Sequence, residues 1–199
     1  MKTIITALKM SITMVILCGF IYTFSITGLG QLLFNHQSEG SLITYNGTQV
    51  GSELLGQKFS DPRYFHGRVS AYDYNTYKKE DESSFALGSG SANLAVSNPV
   101  LVKRVESDIN EFISTHPNTS TNDIPTDLLT SSGSGLDPHI SPQAAKIQVP
   151  AIAKATDLDA AKLNSIIAEC TEGRAFGILG EVRVNVLKAN IEIKKLLDS

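Results

Sequence analysis

Residues 10–34, MSITMVILCGFIYTFSITGLGQLLF, carry no charged side chain, and they decide the architecture of this 199-residue chain. As an α-helix that rises about 1.5 Å per residue, the stretch is roughly 37 Å long, against about 30 Å for the hydrocarbon core of a bilayer. Twelve of its 25 residues are Leu, Ile, Val or Phe, so its insertion into a bilayer is favourable. The stretch therefore predicts a membrane-spanning helix.

A cleaved signal peptide is the alternative for this segment, with Lys2 and Lys9 as its basic start. No alanine lies between Ala7 and Ala71, so the A-x-A cleavage site is missing after the apolar run. The run is also longer than the roughly 7–15 residues of a signal-peptide core. We therefore expect an uncleaved anchor at residues 1–34, with its span at about 10–34, and a domain at residues 35–199.

The charges that flank the span predict its orientation. Lys2 and Lys9 precede it, whereas the first charge after it is Glu39 and the first cation is Lys58. Because basic flanks stay in the cytoplasm, we expect a cytoplasmic amino terminus and an extracytoplasmic domain, anchored by one span. The domain holds 15 cations and 20 anions, a balance that does not indicate a nucleic-acid-binding surface.

The remaining sequence predicts an α+β domain with one modest core. Asn46-Gly47 lies between two short strand-like runs, Leu42–Tyr45 and Thr48–Val50, and predicts a hairpin with a type I′ turn. Pro99, preceded by a capping Asn98 or Ser97, predicts a helix start. Polar loops are expected at Asp73–Gly90, which includes the charged run Lys78–Glu82, and at Thr115–Asp123.

The C-terminal part of the chain predicts further helices. One begins at Ser141-Pro142, and Pro150 kinks or restarts it. The next is capped by Asp159 and stops at Gly173. A last helix is expected from Arg183 to Leu197. The predicted buried face of the Asp159 helix is Leu163, Ile166, Ile167 and Cys170.

The search for catalytic motifs is mostly negative. The sequence has no G-x-x-x-x-G-K-[ST], G-x-G-x-x-G or H-E-x-x-H pattern, and it lacks the Asp-Lys-Thr-Gly-Thr phosphorylation signature of P-type ATPases. Its four histidines are far apart, so no metal site is expected. Asp137, His139 and Ser141 are candidates for a hydrolase triad, which makes an anchored extracytoplasmic hydrolase the alternative function. They are neighbours along a turn without a nucleophile elbow, so turn capping explains them better.

Two Gly- and Ser-rich segments, residues 88–99 and 127–142, each run into a predicted helix start. Backbone N–H groups at such a start can bind anions. The alternative is that Gly and Ser only shape tight loops and caps. The candidate cofactor-binding residues in the first segment are Ser91, Asn93 and Asn98.

Five short segments follow the span in a fixed order: GSELLGQKF at 51–59, YFHGR at 64–68, SANLAVSNP at 91–99, SGSGLDPHISP at 132–142 and VNVL at 184–187, with Asn190 after it. Together they resemble the KdpC family, the C subunits of Kdp-type potassium-transporting P-type ATPases. The resemblance covers nearly the whole chain. Val69 stands where the family usually has proline, and the Gly-Ser-Gly-Ser order at 88–91 also departs from the family pattern. The resemblance implies nucleotide contact at this segment, with Ser91, Asn93 and Asn98 as candidates, and the departure weakens that implication.

The resemblance implies a non-catalytic accessory subunit of an ATP-driven, high-affinity potassium importer in a bacterial or archaeal cell membrane. Its partners would be a potassium-channel-like subunit and a P-type ATPase subunit. The C subunit is described as an assembly partner and as a catalytic chaperone that raises the affinity of the pump subunit for ATP. No tightly bound cofactor is implied, and ATP would act through the pump subunit. Because the predicted orientation puts the domain outside the cytoplasm, we expect this coupling to be indirect.

Two sets of side chains are singled out on this basis. Those expected to pack the span against partner subunits are Met10, Leu17, Phe20, Phe24 and Phe34. The motif residues expected to be structural or interfacial are Gln57, Phe65, Arg68, Asn93, Asn98, Asp137, His139 and Ser141.

Overall fold

The structure is a computed structural model that describes residues 2–76, 87–117 and 119–198. The chain divides into two compact units, Met1–Ser52 and Glu53–Ser199. Part of the loop predicted at Asp73–Gly90, including all of the charged run Lys78–Glu82, lies outside the described residues.

The first unit begins with an unbroken helix from Lys2 to Leu33. It consists of α1 (Lys2–Met14), a π-helical segment (Val15–Tyr22) and α2 (Thr23–Leu33). Its apolar side chains are exposed along its length, and it is long and apolar enough to cross a membrane. The predicted span is confirmed as a helix of this kind, and that helix begins at Lys2 rather than near Met10.

A short helix and a hairpin complete the first unit. Helix α3 covers Asn35–Ser38. Strand β1 (Leu42–Tyr45) pairs antiparallel with strand β2 (Thr48–Ser52). Both residues of the Asn46-Gly47 turn have positive φ, 48° and 76°, as a type I′ turn requires. The predicted hairpin is confirmed.

The second unit builds its core from three helices and a three-stranded antiparallel sheet. The helices are α6 (Pro142–Thr156), α7 (Ala160–Glu169) and α8 (Val186–Leu197). The strands are β3 (His139–Ile140), β4 (Thr171–Glu172) and β5 (Arg183–Asn185), in the order β3-β5-β4. The core side chains include Phe65, Ile140, Ala144, Val149, Ile152, Leu163, Ile166, Ile167, Val184, Val186, Ala189 and Ile193.

Side-chain caps fix the starts of the main helices, as the sequence predicts. Asn98 Oδ1 accepts from the N–H of Val100 at 2.9 Å, at the start of α4 (Pro99–Thr115). Ser141 Oγ accepts from the N–H of Ala144 at 3.0 Å and caps α6. Asp159 caps α7 in the same way. The buried face predicted for α7 is confirmed as well.

Short elements lie between the caps. Helix α5 covers Thr126–Leu129. Single 3-10 turns occupy Asp73–Asn75 and Thr121–Asp123, within the two predicted loops.

Two sequence-based helix boundaries are wrong, and one of the two alternatives at Pro150 is excluded. The last helix begins at Val186, because Arg183–Asn185 forms a strand that pairs on both sides. Helix α7 ends at Glu169, and the chain then enters β4, so Gly173 is not its stop. Helix α6 does not restart but runs through Pro150. Pro150 and Lys146 both lie on the exposed face, where water can bond the carbonyl that proline leaves free.

Candidate functional site

The motif segment around Phe65 is held by two buried side-chain amides. Asn190 Oδ1 accepts from the N–H of Phe65 at 2.8 Å, and its Nδ2 donates to the carbonyl of Phe65 at 2.9 Å. Gln148 does the same for the next residue, His66, at 2.8 and 3.3 Å. Each amide therefore binds one backbone residue as a neighbouring strand would. The ring of Phe65 enters the core and is fully buried.

A third buried amide ties the start of this segment to β5. Asn185 Nδ2 donates to the carbonyl of Glu53 at 2.8 Å, while its Oδ1 caps α8 by accepting from the N–H of Lys188. The Lys188 ammonium lies 2.6 Å from Glu53 and 3.4 Å from Glu172. Burial alone would lower the pKa of Lys188, but these two carboxylates raise it above its ordinary value.

Arg68 joins three parts of the second unit. Its Nη1 donates to Asp137 Oδ2 at 3.0 Å, and its Nη2 lies 3.4 Å from the hydroxyl of Thr130. Its carbonyl accepts from the Tyr74 hydroxyl at 2.6 Å, and burial raises the pKa of Tyr74 to about 12. Among the described residues, the buried Arg68 Nε has no hydrogen-bond partner. The ion pair with Asp137 therefore holds the Arg68 guanidinium in place, while its Nε keeps no hydrogen-bond partner among the described residues.

His139 lies between two carboxylates. Its Nδ1 is 3.6 Å from Asp137, and its Nε2 is 3.4 Å from Glu172. Burial alone would raise the pKa of Asp137, but hydrogen bonds from His139 and Arg68 lower it below its ordinary value. In the same way, the hydrogen bond from Arg183 lowers the pKa of Glu172 against the effect of burial. Both carboxyl groups are therefore held in the charged form.

Ser141 is engaged as a helix cap and not as a nucleophile. Its Oγ donates to Asp127 Oδ1 at 3.2 Å and accepts from the N–H of Ala144 at 3.0 Å. The backbone N–H of Ser141 also donates to Asp127, at 2.7 Å. The hydrogen bonds of Ser141 run to Asp127 and Ala144, whereas both ring nitrogens of His139 face Asp137 and Glu172. This geometry does not support the hydrolase alternative, because a triad needs its histidine on the serine hydroxyl.

The two Gly- and Ser-rich segments pack on each other and on a tyrosine ring. The N–H of Gly90 donates to the carbonyl of Ser134 at 2.7 Å. A Cβ at Gly88 would lie 2.3 Å from the ring of Tyr72, and one at Gly135 would lie 2.8 Å from the carbonyl oxygen of Gly90. Tight packing therefore explains why these positions are glycine. It favours the loop-shaping alternative for both segments.

The residues predicted to contact a nucleotide lie along the approach to α4. Asn98 uses its Oδ1 to cap that helix. Ser91 Oγ accepts from the N–H of Asn93 at 3.4 Å, and Asn93 has a positive φ of 49°. Their proposed contact with a nucleotide stays a prediction.

The residues predicted to pack the membrane span are exposed in the isolated chain. Met10, Leu17, Phe20 and Phe24 belong to the long helix, and Phe34 follows its end. The rings of Phe20 and Phe24 are 6.2 Å apart. These side chains are available to lipid or to other helices.

A cleft of about 730 Å³ collects several of the motif residues. Arg68, Asp137, His139 and Ser141 lie along it, as does Asp127. The rest of its wall comes from residues 122–126, Ile140, Gln143 and residues 181–183. Gln57 is half-buried in the segment that precedes Phe65, and the nucleotide candidates do not lie along the cleft. Charges of both signs line it, which suits polar contacts with a macromolecule better than a buried apolar ligand.

Motif searching does not find several residues that bond to the motif segments. Gln148 and Asp127 hold backbone groups of the motif segments, and Glu172 faces His139 from β4. The role of Gln148 can be detected in the sequence, because Gln148 stands on the otherwise apolar face of α6 formed by Ala144, Val149 and their neighbours. A polar residue on such a face indicates a specific buried hydrogen bond.

Comparisons with known proteins agree on one family. The family described as "K+-transporting ATPase, c chain" matches residues 4–195. A potassium-transporting ATPase KdpC subunit of Clostridioides difficile is 50% identical over 205 residues, which cover 99% of each chain. The KdpC subunit of Clostridium kluyveri is 49% identical and covers 94% of this chain and 90% of its own. That of Bacillus cereus strain Q1 is 47% identical, with 96% and 94% covered.

Proposed function

The chain belongs to the KdpC family of potassium-transporting ATPase subunits, and we propose that it is a non-catalytic accessory subunit that assembles and stabilises this complex. The main support is that the family motif segments take part in structural hydrogen bonds and helix caps. Asn190 and Gln148 hold the motif segment at Phe65 and His66, and Ser141 caps a helix. These polar groups build a frame, as expected of a subunit that presents surfaces to partners.

The proposed partners are a potassium-channel-like subunit and a P-type ATPase subunit of the same complex. Two surfaces support this assignment. The helix from Lys2 to Leu33 exposes apolar side chains, including Leu17 and Phe24, that neighbouring membrane helices can cover. The second unit offers the cleft lined by Arg68 and Asp127.

We place the domain outside the cytoplasm, over the entrance for potassium. Lys2 and Lys9 before the span, and the absence of cations between it and Lys58, support this orientation. The excess of anions in the domain would attract potassium over distances of about 8 Å at physiological salt.

The chaperone role then acts on the pump subunit at a distance. ATP is cytoplasmic, so an extracytoplasmic domain raises the affinity of the pump for ATP through contacts between subunits. The complex without this chain should show a higher KM for ATP. A photoreactive ATP analogue should label the pump subunit and leave this chain unlabelled; labelling of this chain would contradict the indirect route.

Co-purification tests the proposed function directly. A tagged wild-type chain, extracted in mild detergent from cells grown at limiting potassium, should bring down larger membrane subunits with potassium-stimulated ATPase activity. A matched Leu17→Lys chain should bring down less, because a charge in the middle of a span opposes its insertion and packing. Recovery of the wild-type chain without larger subunits would contradict the proposed function.

A further inference from the structure

An exposed apolar turn, residues 174–182, connects β4 to β5. The side chain at its tip, Phe176, is 94% exposed, and Ile178 and Leu179 are 75% and 59% exposed. Val182 at its base is also exposed. Clustered apolar side chains of this kind mark interaction sites on soluble surfaces. None of these four side chains belongs to the core cluster, so core packing does not explain their identity.

The backbone of the apolar turn is fixed by its own hydrogen bonds. The N–H of Leu179 donates to the carbonyl of Ala175 at 2.9 Å, and the reverse bond is 2.8 Å. Phe176 and Gly177 have positive φ values of 54° and 76°, as the central residues of a type I′ turn do. An aromatic residue is uncommon at positive φ, where Asn and Gly are preferred. A strained residue that is also exposed points to a role outside the fold.

The charges at the base of the apolar turn cancel. Arg174 pairs with Glu181 at 3.0 Å, and Arg183 pairs with Glu172 at 3.0 Å. Anionic lipid surfaces attract clusters of unneutralised basic residues, and an acidic protein surface would do the same. Because the charges beside the apolar turn are paired and sum to zero, this surface fits an uncharged, apolar partner.

The exposed area indicates the kind of partner. The four apolar side chains together present roughly 500 Å² of surface, short of the roughly 800 Å² that each side contributes to a stable interface. Two copies that met through this turn alone would form too small a contact. Glu181 and Val182 also line the cleft of about 730 Å³, so a different and larger protein can contact the turn and the cleft together.

We propose that the apolar turn inserts Phe176, Ile178 and Leu179 into an uncharged apolar pocket of a neighbouring subunit of the potassium-transporting ATPase. This inference rests on the proposed function and adds the surface through which the domain docks. The turn is already ordered, so docking requires little loss of conformational entropy. The paired arginines and glutamates form a polar rim around the apolar contact, as in protein interfaces generally.

Charge substitution tests the docking surface. Phe176→Asp should lower the recovery of the larger subunits with the tagged chain at least tenfold. Val100→Asp, at a residue on α4 that is 63% exposed, is the matched control and should leave recovery unchanged. Wild-type recovery from Phe176→Asp would overturn this inference alone, whereas loss of recovery from the wild-type chain would overturn the proposed function itself.

Phe176→Asn separates docking from folding. Asparagine accepts positive φ more readily than phenylalanine, so this variant should unfold at the same or a higher temperature than the wild-type chain. It should still recover the larger subunits poorly, at least tenfold less than wild type. A variant that is less stable and docks normally would show that Phe176 serves the fold and would overturn the proposal.

A cross-linking residue identifies what covers the turn. Benzoylphenylalanine at position 176 of the chain, in the purified and reconstituted complex, should form an adduct with a larger subunit under ultraviolet light. Adducts only with lipid, or only with a second copy of the chain, would overturn the proposal and assign the turn to the membrane or to a dimer. The absence of any subunit adduct would overturn it as well.

Discussion

Asn190 and Gln148 are polar side chains in the most buried part of the second unit, and each satisfies both of its polar ends on one backbone residue. These hydrogen bonds stabilise the folded chain only when all of them form. A buried donor or acceptor without a partner has lost its bonds to water and gained none in return. Phe65 is therefore held in the core by its ring and by its backbone together.

Asn190→Leu should lower the free energy of unfolding by about 2–4 kcal/mol, because it leaves the N–H and the carbonyl of Phe65 unpaired. Urea denaturation of the detergent-solubilised chain, followed by tyrosine fluorescence, measures this. Asn164→Leu is the matched control, since Asn164 is exposed on α7, and its effect should stay within about 0.5 kcal/mol. Equal effects of the two substitutions would contradict the structural role of Asn190.

Gly135→Ala should destabilise the chain by about 2 kcal/mol, because Gly135 has a φ of +68° and its Cβ would lie 2.8 Å from the carbonyl oxygen of Gly90. Gly133→Ala is the control, since it has open space around it and no positive φ, and alanine there should be neutral or slightly stabilising. Thermal unfolding compares the two. A neutral Gly135→Ala would show that the Gly- and Ser-rich segments are not closely packed.

At the scale of elements, the cap residues decide where helices begin, and this is the scale at which sequence reasoning worked best. Asn98, Ser141 and Asp159 each accept a backbone N–H at the predicted position, because capping depends on residues adjacent in sequence. The Asn46-Gly47 hairpin is predictable for the same reason. Local chemistry is visible in a sequence without knowledge of the fold.

The three-stranded sheet was not predictable by the same route. Its strands are two to three residues long, too short to show an alternating pattern. They exist because residues distant in sequence pair, as His139 does with Asn185 and Thr171 with Val184. The site shares this limit, since Glu172 faces His139 from β4 and Arg68 reaches Asp137 from a distant motif segment.

Ser141→Ala tests the cap at the start of α6. It should lower the free energy of unfolding by about 1 kcal/mol, the usual effect of losing a serine cap. Growth on limiting potassium should remain normal, because the hydroxyl serves the helix and not a reaction. Loss of growth in a variant that still folds would restore a chemical role for Ser141.

The sheet should lose stability in acid. Asp137 and Glu172 both have a pKa below the ordinary value in the folded chain, so the folded state binds fewer protons than the unfolded state. Their contribution is present above the unfolded pKa and is lost as pH falls through the folded pKa. Stability should therefore decline from about pH 5 downward.

Asp137→Asn should flatten this acid decline, because its side chain no longer takes up a proton on unfolding. Asp157→Asn is the matched control, since Asp157 is exposed at the end of α6, and it should leave the slope unchanged. Denaturation curves between pH 3 and pH 7 give the two slopes. Identical slopes for Asp137→Asn and wild type would contradict the Arg68–Asp137–His139 arrangement.

At the scale of the whole molecule, the chain joins a long apolar helix to a domain stabilised by long-range hydrogen bonds. The apolar composition of residues 10–34 made the helix predictable. The side of the membrane on which the domain lies is a prediction from Lys2 and Lys9.

Protease access tests that sidedness. A specific cleavage site inserted after Asn122, in an exposed 3-10 turn, should be cut by external protease in cells whose outer barrier is opened and whose inner membrane is sealed. The same site placed before Lys2 is the control and should be protected. Protection at the Asn122 site, with cleavage before Lys2, would place the domain in the cytoplasm and revive direct contact with ATP.

The strand order β3-β5-β4 has a consequence for folding during synthesis on the ribosome. The central strand, Arg183–Asn185, is the last of the three to be synthesised, and Asn190, which holds Phe65, follows it. Before these residues are translated, β3 and β4 lack the strand that pairs with both, and Phe65 lacks the Asn190 side chain that holds it. The three-stranded sheet therefore cannot form until Arg183–Asn185 has left the ribosome. Until then core side chains of this sheet, such as Ile140 on β3, stay exposed to chaperones and proteases.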